Sequence, residues 1–302
     1  MLAKFPTNGE KIYQAVNIAL ITALLFILVY PLWYVLLGSF SDVMQMRKAT
    51  MPLFVHGFSF DNYRLIFSSK NIWIGYRNTI GYTLFGTLAN VMLSVLTAFP
   101  FTRMALPGRR WLVKVFVLTT YISGGLIPTY LVVDSLHLTN TVFALIIPNL
   151  VNVGAILVSI AFIRGTIPDG LIESAMIDGA SYPGVFFRIV LPLSAPLIGV
   201  LTLATAMSYW NSYTQALIYL RKRELQPLQL VLREILLGAI TSTSMSNMIG
   251  GEYSKIDYAE LTRKVEGIKF SSIVVSSAPL LMIYPFLKKY FATGIMLGGI
   301  KE

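Results

Sequence analysis

The residue types that most often carry chemistry are scarce in this sequence. It contains no cysteine, which excludes disulfides, thiolate metal sites and cysteine nucleophiles. Its two histidines, His56 and His137, are isolated, and a metal site would need further ligands at defined spacing. The patterns G-x-x-x-x-G-K-[ST], H-E-x-x-H and G-x-S-x-G are all absent. The sequence therefore predicts no catalytic centre, no nucleotide site and no cofactor bound by this chain.

Apolar residues dominate the sequence and lie in long blocks. They make up 55% of the chain, only 13% of the residues are charged, and the mean hydropathy is +0.68. A soluble domain carries about 25% charged residues, whereas a membrane span needs about 20 apolar residues in succession. Windows of this kind lie at about 14–38, 78–102, 113–134, 141–163, 194–219 and 269–288. The sequence predicts an all-α polytopic membrane protein, with six transmembrane helices in a single domain over residues 1–302.

The positive net charge of +10 has two possible meanings. In a soluble protein it would suggest a nucleic-acid partner. In a membrane protein, basic residues flank the spans and meet anionic lipid head groups. Because no basic run is interleaved with aromatic residues in a polar segment, we expect membrane lipids, and no nucleic acid, as partners.

The basic residues of the short loops predict the orientation in the membrane. The loop after the second predicted span holds four basic residues and no acid: Arg103, Arg109, Arg110 and Lys114. The loop after the third span holds His137 and no Lys or Arg. We therefore expect the second loop and both chain termini in the cytoplasm, although the long loops at 42–77 and 221–268, then extracytoplasmic, are also rich in basic residues.

A patterned segment, residues 164–192, lies between the fourth and fifth predicted spans. A stripe of apolar and small residues at helical spacing is formed by Leu171, Ile172, Ala175, Met176 and Gly179. Glu173 and Asp178 lie off this stripe, Gly179 ends the helical pattern, and a second element begins at Tyr182. The pattern predicts a short helix–turn–helix on the cytoplasmic side, with an apolar face that needs a partner.

This segment resembles the EAA loop of binding-protein-dependent ABC importer permeases, whose pattern is E-A-A, three residues, G, nine residues, I-x-L-P. The matching positions are Glu173, Ser174, Ala175, Gly179, Ile189, Leu191 and Pro192, with Ser174 in place of the first alanine. The runs Tyr76-Arg77-Asn78-Thr79, Trp210-Asn211-Ser212-Tyr213 and Lys289-Tyr290-Phe291 are similar to the carbohydrate branch related to the maltose permeases. The stretch 226–233 is similar to a sub-branch that imports complex oligosaccharides.

The resemblance implies a permease subunit of an ATP-driven oligosaccharide importer in the bacterial inner membrane. It implies that the loop, including Asp178, is the coupling helix that docks into an ATPase subunit. The implied partners are a second six-span permease in a heterodimer, two ATPase subunits and an extracytoplasmic solute-binding protein. ATP and magnesium would then bind to the partner ATPase, and this chain would not itself be an enzyme.

A sugar pathway would need aromatic faces, amides and hydroxyls on membrane helices. The candidate residues are Tyr121, Tyr130, Asn149, Asn152, Trp210, Asn211, Tyr213 and Gln215. For Tyr121 and Tyr213, a place in the interfacial aromatic belt is an equal alternative. Asn152 and Asn211 are favoured, because an amide buried against lipid without a partner costs several kcal/mol.

Other functions stay open on the sequence alone. Within the importers, the solute could be a peptide or another small polar molecule. A stand-alone secondary carrier is less favoured, because proton-coupled carriers usually place charged residues inside their spans and the interiors of these windows, away from their ends, have none. A carrier that coordinates sodium through backbone carbonyls remains compatible with the sequence, whereas a membrane enzyme lacks the necessary nucleophile and metal patterns.

Overall fold

The structure is a computed structural model that describes residues 8–46, 48, 51–102, 106–248, 265–283 and 285. Both chain termini, Arg103 and the run that begins at Lys289 lie outside these residues. So do parts of the predicted outer loop 221–268 and of the predicted span 269–288. Over the described ranges the regular structure is helical, apart from one isolated bridge between Ser41 and Phe58.

Fifteen α-helices follow one another along the described chain. They are α1 (Asn8–Phe40), α2 (Val43–Met46), α3 (Asp61–Ser68), α4 (Lys70–Thr102), α5 (Arg109–Tyr121), α6 (Leu126–Ser135), α7 (Phe143–Ile146), α8 (Val153–Thr166), α9 (Asp169–Ile177), α10 (Tyr182–Val185), α11 (Leu191–Leu193), α12 (Ala195–Trp210), α13 (Tyr213–Tyr219), α14 (Leu228–Met248) and α15 (Val265–Ile283). Short 3-10 helices span Ile147–Asn149 and Arg223–Leu225, and a π-helix spans Phe186–Val190.

Three of these helices are long and apolar enough to cross a membrane by themselves. They are Lys11–Phe40 within α1, then α4 and α15. Three further helix pairs qualify only together and are bent at a short break: Arg109–Tyr121 with Leu126–Ser135 by 114°, Phe143–Asn149 with Val153–Thr166 by 46°, and Tyr182–Leu193 with Ala195–Trp210 by 77°. The described residues therefore hold three continuous candidate spans, or six if each bent pair counts as one.

The helix bounds differ from the predicted windows for identifiable reasons. The window 113–134 is broken after Tyr121, where Gly125 has φ +80°, a conformation that costs glycine little. The window 194–219 is broken at Asn211, which ends α12. The predicted loop 42–77 contains α2, α3 and the start of α4, and α14 lies within the predicted loop 221–268. Apolar content alone does not reveal these breaks and loop helices, because both depend on backbone conformation and packing.

Contacts group the chain into two units, residues 1–69 with 234–277 and residues 70–233 with 278–302. In the first unit, Gly38 of α1 packs closely against Phe270 of α15, since a Cβ added at Gly38 would lie 2.8 Å from that ring. The Tyr63 hydroxyl donates a 2.8 Å hydrogen bond to Ser39 Oγ. Burial raises the pKa of the Tyr63 phenol, while the bond to Ser39 acts in the opposite direction. The phenol therefore stays protonated and remains a donor at neutral pH.

The second unit is organised around α4, which packs mainly against α8 and α12. The core between these helices is apolar and includes Val95, Ala98 and Phe99 of α4, Ile156, Ile160 and Ile163 of α8, and Leu197 and Leu201 of α12. The close approach needs small residues, as in other membrane helix interfaces. A Cβ added at Gly86 would lie 2.5 Å from the ring of Tyr209.

Polar side chains on α4 also hold the irregular segment 224–228. Four hydrogen bonds do this: Asn78 Nδ2 to the Glu224 carbonyl (2.7 Å) and to the Gln226 carbonyl (3.1 Å), the Tyr82 hydroxyl to the Leu225 carbonyl (2.7 Å), and Leu228 N–H to Thr79 Oγ1 (2.8 Å). Asn78 and Thr79 are both buried. Because buried backbone groups without partners are costly, these side chains let the chain leave helical geometry here.

Gly75 provides a test of the contact between α4 and this segment. A Cβ at Gly75 would lie 2.9 Å from the Cα of Leu228, whereas one at Gly81, also in α4, would meet nothing within 4 Å. Gly75→Ala should destabilise the protein by about 1–3 kcal/mol, because backbone must shift to admit the methyl group. Gly81→Ala should be neutral or slightly stabilising. Thermal unfolding of the purified proteins in detergent measures both, and equal midpoints would contradict the close packing.

Candidate functional site

The base of the segment 164–192 is anchored to the end of α4. Arg164, in the last turn of α8, donates a 2.7 Å hydrogen bond from its guanidinium to the Phe101 carbonyl. A basic side chain suits this position, because the last carbonyls of a helix have no partners within it and carry partial negative charge. The bond ties the ends of α4 and α8 together directly before α9 begins at Asp169.

The turn after α9 is built by Gly179. The Ala180 N–H donates to the Ala175 carbonyl (2.9 Å) and the Gly179 N–H to the Met176 carbonyl (3.1 Å). This is the Schellman pairing, which requires a left-handed residue after the helix. Gly179 has φ +85°, so a side chain there would strain the backbone even though a Cβ would meet nothing within 4 Å. A second short helix, α10, follows from Tyr182.

Most of the apolar stripe of α9 is covered within the chain. The expectation that this whole face needs a partner is therefore wrong. Ile172 is buried, and Ala175 and Met176 pack against the core formed by α4, α8 and α12. Burying these side chains within the chain already removes their apolar surface from water. The apolar side chains that point outward are Leu171 and Ile177, and Ile177 is 85% exposed.

The polar positions of the same helix lie on its outer side. Glu173, Ser174 and Asp178 are all exposed. The Ser174 hydroxyl donates to the Gly170 carbonyl at 2.8 Å, within the helix. Helix α9 thus has an inner face fixed to the core and an outer face of carboxylates with one protruding isoleucine.

The Gly179 turn divides the segment into two arms, α9 and residues 180–192. The I-x-L-P positions lie in the second arm. Ile189 and Leu191 pack partly against the same core, and Ile189 lies in the π-helix Phe186–Val190. Pro192 follows directly and has no N–H to donate to an i−4 carbonyl. A wider turn just before a proline is one way to accommodate that missing bond. These residues therefore position the arm through packing and backbone shape.

A second site is the break between Phe143–Asn149 and Val153–Thr166, beside a cavity of about 520 Å³. The polar groups that line this cavity are amides and hydroxyls, from Asn90, Thr119, Thr120, Asn149, Asn152, Thr205, Ser208 and Tyr209. None of the described residues that line it is charged. Amides and hydroxyls of this kind can exchange hydrogen bonds with a hydroxyl-rich solute such as a sugar.

Asn90 of α4 supplies the partners that the break needs. Its side-chain amide donates to the Asn149 carbonyl at 2.8 Å and to the Leu150 carbonyl at 3.1 Å. The Thr205 hydroxyl donates to Asn90 Oδ1 at 3.4 Å, and Asn152 Oδ1 caps α8 by accepting from Ala155 N–H at 3.0 Å. Freed backbone groups at membrane depth must be satisfied by protein or cavity water. Specific side-chain hydrogen bonds therefore stabilise the break.

The structure brings some of the predicted path residues to this cavity. Asn149 and Asn152 line it. Gln215 reaches its edge by pairing with Asn149 through two amide hydrogen bonds, with Asn149 Nδ2 donating to Gln215 Oε1 at 2.7 Å and Gln215 Nε2 donating to Asn149 Oδ1 at 3.0 Å.

The other predicted path residues lie elsewhere. Tyr130 stacks on Tyr219 with ring centroids 6.0 Å apart, and Trp210 is buried. Asn211 donates to the Met207 carbonyl at 3.0 Å, one turn back at the end of α12. The remaining two, Tyr121 and Tyr213, are exposed.

Sequence reasoning missed the cavity residues of α4 and α12. Asn152 was selected because it is an amide inside an apolar window. Asn90 meets the same criterion, so the sequence could have identified it. Thr205 and Ser208 gave no such signal, because a hydroxyl in a helix can bond to its own backbone and so occurs at any depth.

The fold and the site together define a membrane transport subunit. Three of its helices, or six if each bent pair counts as one span, are long and apolar enough to cross a bilayer, and a broken helix lines a neutral polar cavity. The described residues hold no group of three or more His, Cys, Asp or Glu that could bind a metal ion. No protein-family model matches the chain.

Curated relatives and a solved structure are similar to this chain over nearly its whole length. The polygalacturonan/rhamnogalacturonan transport system permease protein YtcP of Bacillus subtilis (strain 168) is 38% identical over 275 residues, which are 91% of this chain and 93% of that protein. Protein LplC of the same organism is 33% identical over 299 residues, 98% and 97% of the two chains. The crystal structure of a bacterial ABC transporter involved in the import of the acidic polysaccharide alginate is similar with a TM-score of 0.82 and 26% identity, covering 96% of this chain and 100% of that chain. The chain therefore belongs to the family of permease subunits of ABC sugar importers.

Replacement of Asn90 tests the support of the helix break. Asn90→Leu replaces the amide by a branched apolar group and leaves the Asn149 and Leu150 carbonyls without its hydrogen bonds, at about 1–3 kcal/mol for each buried group left unpaired. The thermal unfolding midpoint in detergent should fall clearly. Asn71→Leu, an exposed asparagine in the same helix, is the control and should change the midpoint little. A wild-type midpoint for Asn90→Leu would show that the break does not depend on this amide.

Proposed function

We propose that the chain crosses the bacterial inner membrane six times and forms half of the translocation pathway of an oligosaccharide importer. Each bent helix pair then counts as one span, and a second, different permease subunit supplies the other half. The observation that carries the proposal is α9, whose inner face is packed on the core and whose outer face is exposed. A helix anchored on one side and free on the other suits the transmission of motion from a partner.

In this arrangement the segment 164–192 and both termini face the cytoplasm. The basic loop that includes Arg109 and Arg110 lies on the same side, as the positive-inside rule favours. The 42–77 and 221–268 regions face outward, where a solute-binding protein delivers the sugar. The internal anchoring of α9 next to the ends of α4 and α8 supports one common cytoplasmic end for these helices.

Coupling then proceeds through rigid contacts. Two partner ATPase subunits bind and hydrolyse ATP with magnesium, and one of them receives the outer face of α9. Ile177 inserts into its cleft, with Glu173 and Asp178 beside the contact. Movement of α9 is passed to the membrane helices through the buried Ile172 and the bond from Arg164 to Phe101. Gly179 keeps the turn compact, and Ser174, Ala175, Ile189, Leu191 and Pro192 maintain the shape of the two arms.

The cavity at the helix break is the proposed sugar-binding part of this half of the pathway. Its volume of about 520 Å³ lies within the range of about 300–1,000 Å³ typical of small-molecule sites. Asn149, Asn152 and Ser208 are the proposed contacts. The relatives that carry polysaccharide names support an oligosaccharide as the transported solute.

Ile177 tests the docking surface. Ile177→Asp introduces a charge into the proposed apolar contact, whereas within the permease the side chain is 85% exposed and makes little contribution. The variant should insert into the membrane normally, but copurification of the ATPase and sugar uptake should fall about tenfold or more, as expected when an unpaired charge must be buried. Immunoblots of membranes and pull-down of the ATPase measure the two effects.

The matched control is Leu136→Asp, which places the same charge at an exposed apolar residue in the turn after α6. It should leave ATPase binding unchanged. Full uptake and full ATPase binding by Ile177→Asp would remove α9 from the coupling interface.

Ser208 tests the cavity. Ser208→Trp fills space beside Asn152 and should reduce sugar uptake strongly while the ATPase still binds, because only the path is narrowed. Met207→Trp, one residue earlier and absent from the cavity lining, is the control and should retain most uptake. Uptake of labelled oligosaccharide into cells measures both variants. Equal uptake would place the sugar path outside this cavity.

A further inference from the structure

Two cavities adjoin at Leu106, in the turn between α4 and α5. The first, about 430 Å³, is lined by apolar and aromatic side chains from the last turns of α4 and from residues 182–187, among them Leu96 and Phe187. The second, about 400 Å³, lies against the start of α5. Leu106 lines both, so an apolar pocket opens next to a basic one.

The start of α5 gives the second cavity its positive charge. Arg109 and Arg110 line it together with Trp111. One turn after Arg110, Lys114 is exposed and has its Nζ 4.8 Å from the centroid of the Trp111 ring. Trp111 is 72% exposed. An exposed tryptophan among basic residues at the end of a membrane helix is typical of the bilayer interface.

Acidic residues are sparse around the basic rim formed by Arg109, Arg110 and Lys114. The sequence has no Asp or Glu from residue 62 to residue 133. Asp169, at the start of α9, acts electrostatically on Arg164, as does Arg109. Arg110 and Lys114 therefore provide positive charge at the start of α5.

We propose that the adjoining cavities bind one anionic phospholipid, with an acyl chain in the apolar pocket and the phosphate group at Arg110 and Lys114. A soluble anion would make no use of a pocket lined by leucine, phenylalanine and proline, and an uncharged apolar ligand would gain nothing from the basic rim. A phospholipid carries an acyl chain and a phosphate group in one molecule. It is present at high concentration where α4 leaves the membrane. Each basic residue near an anionic lipid surface contributes about a fivefold gain in binding.

The position of the site gives the lipid a functional role. Tyr182 and Phe187, which form one wall of the apolar pocket, lie in the elements that follow α9 and the Gly179 turn. An acyl chain in the pocket would pack against these rings and support the second arm of the segment 164–192. Sugar-stimulated ATP hydrolysis by the complete transporter should therefore depend on anionic lipid.

The experiment is lipid binding to the purified complete transporter, followed by native mass spectrometry. Palmitoyl-oleoyl phosphatidylglycerol should be retained at least about tenfold better than the matching phosphatidylethanolamine. Arg110→Gln/Lys114→Gln should lose this preference, about tenfold or more for two basic groups. Arg64→Gln/Lys70→Gln, which removes two exposed basic residues elsewhere, should keep it.

A second pair of variants tests the acyl pocket. Leu96→Trp fills the pocket and should reduce retention of the lipid, whereas Leu88→Trp, at an exposed leucine of the same helix outside the pocket lining, should not. Equal retention of the two lipids, or an equal loss in the Arg64/Lys70 control, would overturn the proposal. Displacement of the lipid by glycerol phosphate alone would assign the rim to a soluble anion, and full retention by Leu96→Trp would exclude the pocket.

Discussion

The requirement that every buried backbone group find a partner governs the second unit, and side chains of α4 meet it at two irregular segments. In a bilayer no bulk water is available to freed carbonyls and N–H groups, so a broken helix is stable only where protein replaces the lost bonds. Asn90 does this for the carbonyls of Asn149 and Leu150, and Asn78 does it for those of Glu224 and Gln226. A single long helix thereby permits two irregular segments, one of which lines the cavity.

The same helix connects the cavity to the segment around α9. Its middle carries Asn90 at the helix break, and its last turns carry Phe99, in the core on which Ile172 also packs, and Phe101, whose carbonyl accepts from Arg164. Closely packed interiors have low compressibility and transmit strain. Movement of α9 relative to the bilayer would therefore act on α4 as a body, and through it on the cavity.

The cavity at the helix break offers neutral hydrogen-bonding groups. Its described lining is neutral, so proton transfer has no titrating carboxylate or histidine there. Amides and hydroxyls can bind a sugar and release it again when the geometry changes. An importer needs that reversibility more than it needs high affinity, because a site that binds too tightly also slows release.

The sequence by itself determined the class of the protein and its apolar elements. The long apolar windows predicted membrane helices, the E-S-A-x3-G spacing around Glu173 identified the family resemblance, and Gly179 fell at the left-handed turn because few other residues adopt that conformation. Only the tertiary structure decided which face of α9 is covered, that Asn90 supports the break at Leu150, and that Asn211 ends a helix outside the cavity. These outcomes depend on neighbours distant in sequence, since an amide or an apolar stripe has the same local pattern whether its partner is its own core, another subunit or a sugar.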